Sequence, residues 1–134
     1  MRTDLLITVL LFAGVIGTGI GCHKPSDTPI GGKGGKATLV VTPVHSNLNV
    51  DSCMVYLKYN ATDAPANNIY DDSAKCFLQD TTPVAIFTQL KTGQYYVFGN
   101  GYHLYYNAYV KGGFSFTINT QDTNKILLAT YAYY

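Results

Sequence analysis

The residues able to do chemistry in this chain of 134 are few and scattered. It holds three Cys and three His. Cys53 and Cys76 have no neighbouring His, and two thiols alone make no tetrahedral metal set. His45 and His103 each lie in or beside a turn signal, and no adjacent Cys, Asp or Ser completes a nucleophile-and-base set. Both therefore read as solvated side chains, and no catalytic residue is assigned. Asn67, Asn68, Asp71 and Asp72 crowd one segment, where oxygen ligands could hold calcium. Their spacing fits no calcium loop, and turn chemistry accounts for Asn and Asp equally well. The run Gly31-Gly32-Lys33-Gly34-Gly35 lacks the spacing and the Ser or Thr of a phosphate loop. No metal and no cofactor is expected.

Tyrosine is the excess: twelve Tyr and six Phe stand beside no Trp. Tyr102, Tyr105, Tyr106 and Tyr109 crowd one segment, and Tyr131, Tyr133 and Tyr134 crowd the end. Exposed Tyr binds sugars or protein partners at low entropic cost. Tyr is also simply favoured on pleated surfaces, where it pairs across strands. A strand over residues 104–110 would put Tyr105, Asn107 and Tyr109 on one face. Leu104, Tyr106, Ala108 and Val110 would take the other, which suits the interior better. Tyr105, Asn107 and Tyr109 are then the candidate binding surface, a flat aromatic strip for a glycan or an envelope protein.

The elements that must carry these residues are strands. Residues 37–42 are apolar and β-branched. Over 53–59, Cys53, Val55, Leu57 and Tyr59 alternate with Met54, Tyr56 and Lys58, and the first set is assigned to the core. Residues 70–79 form a weaker strand. Residues 84–113 organise the rest. Ala85 and Phe87 share a face; after Lys91-Thr92-Gly93, so do Tyr95 and Val97. This reads as a hairpin with Phe87 and Tyr95 buried on facing positions, then a breaker at Gly99-Asn100-Gly101. Gly112-Gly113 ends the next strand, Phe114, Phe116 and Ile118 alternate with Ser115 and Thr117, and residues 125–133 close the chain. The fold class is all-β: a seven- to eight-stranded antiparallel Greek-key β-sandwich with no helix.

Three segments follow. Residues 1–21 carry Arg2, an apolar run from Leu5 to Ile16, and small residues before Cys22. The run is short for a membrane span and matches an export signal. Cys directly after small residues resembles a bacterial lipoprotein cleavage site, although Gly19 stands where that pattern prefers Leu. The resemblance implies lipid on Cys22 and anchoring to the cell envelope, at the outer membrane on its periplasmic or surface face. Residues 22–35 are a Pro- and Gly-rich tether with little to bury. Residues 36–134 are the β-sandwich domain, where six Lys balance six Asp and Glu and Arg are absent. Such a domain lacks the clustered cations that nucleic acid requires. With Cys22 spent on lipid, the even pair Cys53 and Cys76 in an exported chain reads as a disulfide.

Ala85, Phe87, Leu90, Gly93, Tyr95, Val97, Gly101 and Tyr102 resemble the signature of the carboxypeptidase regulatory-like and transthyretin (prealbumin)-like sandwich domains. The resemblance implies a fold and no chemistry, since these sandwiches host carriers, enzymes and spacers. The transthyretin-like hydrolases end in Tyr-Arg-Gly-Ser and use paired His with Arg. This chain ends Tyr131-Ala132-Tyr133-Tyr134, and its only Arg is Arg2. The expected function is a non-enzymatic interaction or accessory module tethered to the envelope. A carbohydrate-binding lipoprotein is the second reading, and a hydrolase the third.

Overall fold

The structure is a computed structural model that describes residues 30–133. The expected signal peptide, Cys22 and the tether up to residue 29 lie outside the described residues. Ten strands follow in order: β1 (Lys33–His45), β2 (Leu48–Asn49), β3 (Ser52–Tyr59), β4 (Asp72–Lys75), β5 (Phe77–Gln79), β6 (Thr82–Leu90), β7 (Gly93–His103), β8 (Ala108–Ile118), β9 (Thr123–Ala129) and β10 (Tyr131–Ala132). The first sheet runs β2-β1-β6-β5, with β9 also on β1; the second runs β10-β8-β7-β3-β4. From β1 to β8 the chain visits the sheets in pairs, β9 and β10 then add one strand to each, and the result is a β-sandwich. Three of the ten strands have only two or three residues, which is why alternation alone counts fewer. The pairing is antiparallel except between β1 and β9, which run parallel from Thr38↔Thr123 to Val44↔Ala129.

Period-two alternation builds the interior. From the first sheet come Ala37, Leu39, Val41, Ala85, Phe87, Leu90 and Leu128; from the second come Cys53, Val55, Leu57, Tyr95, Val97, Val110 and Ile118. Phe87 and Tyr95 are both buried, as the pattern predicts. Their relationship differs from the expected hairpin. β6 pairs with β1 and β5, whereas β7 pairs with β3 and β8. The Lys91-Thr92 step therefore crosses from one sheet to the other, and the two rings enter the core from opposite layers.

Two predicted breaks are strand interior. β7 runs through Gly99-Asn100-Gly101 and β8 through Gly112-Gly113. Gly99 is there for close approach: a Cβ on it would lie 2.6 Å from Leu128 of the opposite sheet. Gly113 makes room on the outer face, where a Cβ would lie 2.5 Å from the Tyr96 hydroxyl oxygen.

The ordered body also starts before residue 36. Gly31 and Gly32 are buried, and β1 begins at Lys33. The Gly32 N–H donates to the buried Tyr95 hydroxyl at 2.8 Å, which donates on to the Lys91 carbonyl at 2.7 Å. The Lys91 N–H returns to the Gly32 carbonyl at 2.8 Å. A glycine run with nothing apolar to bury is thus ordered by backbone hydrogen bonds, a cause invisible to composition. Burial pushes the Tyr95 phenol up, against the pull of its two backbone partners.

Candidate functional site

The strand expected over residues 104–110 is mostly a turn. β7 and β8 pair as far as His103↔Ala108, which leaves four residues to close the hairpin. The Asn107 N–H donates to the Leu104 carbonyl at 3.1 Å, and Asn107 takes a φ of 49°, which Asn tolerates better than most side chains. Asp51 accepts the Leu104 N–H at 3.0 Å and pins the turn from the β2–β3 side. Tyr105 is 78% exposed and Tyr109 is 62% exposed, so the candidate residues do face solvent. They are not one strand face, because Tyr105 and Asn107 sit in the turn and only Tyr109 is on β8. Leu104 and Tyr106, assigned to the interior, are exposed as well.

The turn joins a larger aromatic surface on the outer face of the second sheet. The sheet register sets side chains there in rows. Tyr102 of β7 pairs with Tyr109 of β8, and their rings meet edge to face at 5.1 Å. The Tyr102 hydroxyl donates to the Asn107 side-chain carbonyl. Tyr133 packs 6.3 Å from Tyr109 and donates to Asn100 Oδ1 at 3.1 Å, and Lys111 Nζ stands 4.3 Å from the centre of its ring.

A second cluster lies further along the same face. Tyr56 of β3 pairs with Phe98 of β7, and Tyr70, from the segment before β4, stacks on Phe98 at 5.7 Å and 14°. Burial raises the Tyr70 phenol, helped by the nearby Tyr96 and Tyr56 hydroxyls. Beside these rings opens a groove of about 350 Å³ lined by Tyr56, Asn68, Tyr70, Asp71, Asp72 and Ser73. Its carboxylates are engaged. Asp71 accepts Lys58 at 3.1 Å and the Tyr59 N–H at 2.7 Å; Asp72 meets Lys33 at 2.7 Å. Asn67 accepts the Ile69 N–H at 3.0 Å, which is turn chemistry. Among the described residues, no three His, Cys, Asp or Glu side chains are grouped to hold a metal ion.

The two histidines are not solvated, contrary to expectation. His103 is 1% exposed and His45 is half-buried. Their rings meet at 5.4 Å, one from each sheet, with Tyr106 of the turn 5.0 Å from both. His103 Nδ1 accepts a long bond from the Tyr106 N–H at 3.4 Å, while His103 Nε2 and His45 Nδ1 are buried without a partner. Parity was the signal that could have found them. His45 continues the inward series Ala37, Leu39, Val41 and Pro43, and His103 continues Tyr95, Val97, Gly99 and Gly101.

Cys53 of β3 and Cys76, the one residue between β4 and β5, are brought together as free thiols. The Cys76 N–H donates to the Cys53 carbonyl at 2.9 Å. The side-chain hydrogen bond between the two raises the Cys53 thiol, with burial adding to it, and the same bond lowers the Cys76 thiol. Cys22 is outside the described residues. No protein-family model, no curated protein and no solved structure matches this chain.

Proposed function

We propose that this chain is a non-enzymatic binding module held at the bacterial cell envelope by lipid on Cys22, with the aromatic outer face of the second sheet and the turn after β7 as its working surface. One observation carries the reading. The ordered N-terminus is tied to the Tyr95 end of β7 through Gly32, whereas the exposed turn with Tyr105 and Asn107, next to Tyr109 of β8, closes the opposite end. At the usual rise per residue Tyr95 and the start of that turn at His103 are about 26 Å apart. An anchor on Cys22 would therefore enter at one end and present the tyrosines at the far one.

A carbohydrate partner is favoured over a protein partner by the chemistry beside the rings. Tyr102 and Tyr109 sit with Asn107, and Tyr133 with Asn100, so ring faces alternate with amides. The hydrolase reading has less support, since His103 packs against His45 and Tyr106, and Asp51 serves the Leu104 N–H instead.

The test uses the detergent-solubilised full chain on an array of glycans and immobilised envelope proteins. Tyr105→Ala with Tyr109→Ala is expected to abolish the binding found while the melting temperature barely moves. Binding that survives, or a large loss of stability, would move the site elsewhere. Cys22→Ser is expected to shift the protein out of the detergent phase; unchanged partitioning would end the lipoprotein reading.

A further inference from the structure

We infer that the outer face of the second sheet binds an acidic glycan, a saccharide chain carrying carboxylates, laid across both aromatic clusters. The inference rests on the binding-module reading and names its ligand. Between the Tyr102–Tyr109 pair and the Tyr56–Phe98–Tyr70 cluster runs one row of the sheet: Lys75, Met54, Asn100 and Lys111, paired in register across β4, β3, β7 and β8. The two aromatic clusters are about 13 Å apart along β7, and the two lysines about 14 Å apart across three strand spacings. That span fits several sugar rings rather than one.

Charge selects the ligand. Lys75 and Lys111 are exposed, and among the described residues neither has a carboxylate partner, whereas Lys58 and Lys33 are paired to Asp71 and Asp72. Apart from Asp51, which lies at the turn end and is held by the Leu104 N–H, the unpaired charge of this face is therefore positive. Hydrogen-bond polarity agrees. Tyr133 and Tyr102 occupy the side-chain carbonyls of Asn100 and Asn107, which leaves both amide NH2 groups to donate outward. Two ammonium groups and two amide donors set among ring faces suit carboxylate oxygens on a chain whose sugar rings stack on tyrosine. Single-stranded nucleic acid would also stack. Two lysines and no arginine supply too little charge for a polyphosphate backbone.

The test is affinity electrophoresis of the detergent-solubilised full chain through gels containing alginate, a polyuronate, or dextran, a neutral glucan. Retardation is expected in alginate, weakening as salt rises, and little in dextran. Lys75→Gln with Lys111→Gln should weaken alginate binding about tenfold, as two exposed ion pairs allow, with an unchanged melting temperature. Phe98→Ala should weaken it too, and Tyr109→Ala, at an exposed ring, supplies the same readout if Phe98→Ala fails to fold. Equal retardation in both gels, no effect of the lysine pair, or tighter binding to single-stranded DNA overturns the acidic-glycan assignment. If alginate is not bound while the Tyr105 and Tyr109 changes still abolish capture of an array partner, the ligand class is wrong and the binding-module reading stands.

Discussion

The Tyr95 hydroxyl accepts the Gly32 N–H at 2.8 Å across 63 residues of sequence. It joins the incoming chain to the crossover at Lys91, so one phenol ties three segments. Tyr95→Phe keeps the ring and removes the hydroxyl. The Gly32 N–H and the Lys91 carbonyl are then left without that partner, at a cost of about 1–3 kcal/mol. Urea unfolding should show a lower midpoint at constant slope. An unchanged midpoint would mean that the start of β1 contributes nothing to stability.

Phe87 enters the core from β6 and is 2% exposed. Phe87→Ala removes a ring from between the sheets and is expected to cost about 3–5 kcal/mol, a large part of the roughly 5–15 kcal/mol of a domain. The check is the denaturation midpoint together with the slope. A chain that unfolds like wild type would put Phe87 outside the interior.

Cys53 and Cys76 stand as adjacent thiols, and the expected outcome in oxidising buffer is a bridge between them. Peptide mapping of the oxidised chain should recover a linked Cys53–Cys76 pair. A loop of 23 positions would gain about 3 kcal/mol in the chain-entropy model. In the reduced chain, Cys76 should alkylate first, because its thiolate is held by the Cys53 thiol while Cys53 itself is buried and raised. Two thiols still free after oxidation, or Cys53 reacting first, would contradict this arrangement.

Alkali should destabilise the domain through Tyr59. Burial, then the Asp72 carboxylate, raises its phenol to about 12 from an ordinary value of 10.0. A folded-state value above the unfolded one means that the stabilisation is fully present below pH 10. It is lost as pH rises through 12. Tyr95 and Tyr70 are raised as well and act in the same direction. Tyr59→Phe removes one of these groups, so its melting temperature should fall less than that of wild type between pH 10 and pH 12. Parallel curves for the two chains would show that Tyr59 titrates alike folded and unfolded.

Alternation by itself determined which side chains face inward: Cys53, Val55 and Leu57 on β3, Tyr95 and Val97 on β7, Phe114, Phe116 and Ile118 on β8. A pleat turns every second residue to one side, so a local pattern suffices, and with it came the all-β class and the buried Phe87 and Tyr95. What alternation does not contain is the partner of a strand. Only the tertiary structure decided that β6 and β7 belong to different sheets, because ladder hydrogen bonds join residues far apart in sequence. The same holds for Gly99, which leaves space for Leu128 where a break was expected, and for Gly31 and Gly32, ordered by bonds to Asn60 and Tyr95. The tyrosine strip was legible as composition. Its shape was not: the register His103↔Ala108 puts Tyr105 and Asn107 in a turn, and pairing across β3, β7 and β8 sets Tyr102, Tyr109, Tyr56 and Phe98 on one face. Those pairings depend on how whole strands align, and no window of the chain shorter than the domain carries that information.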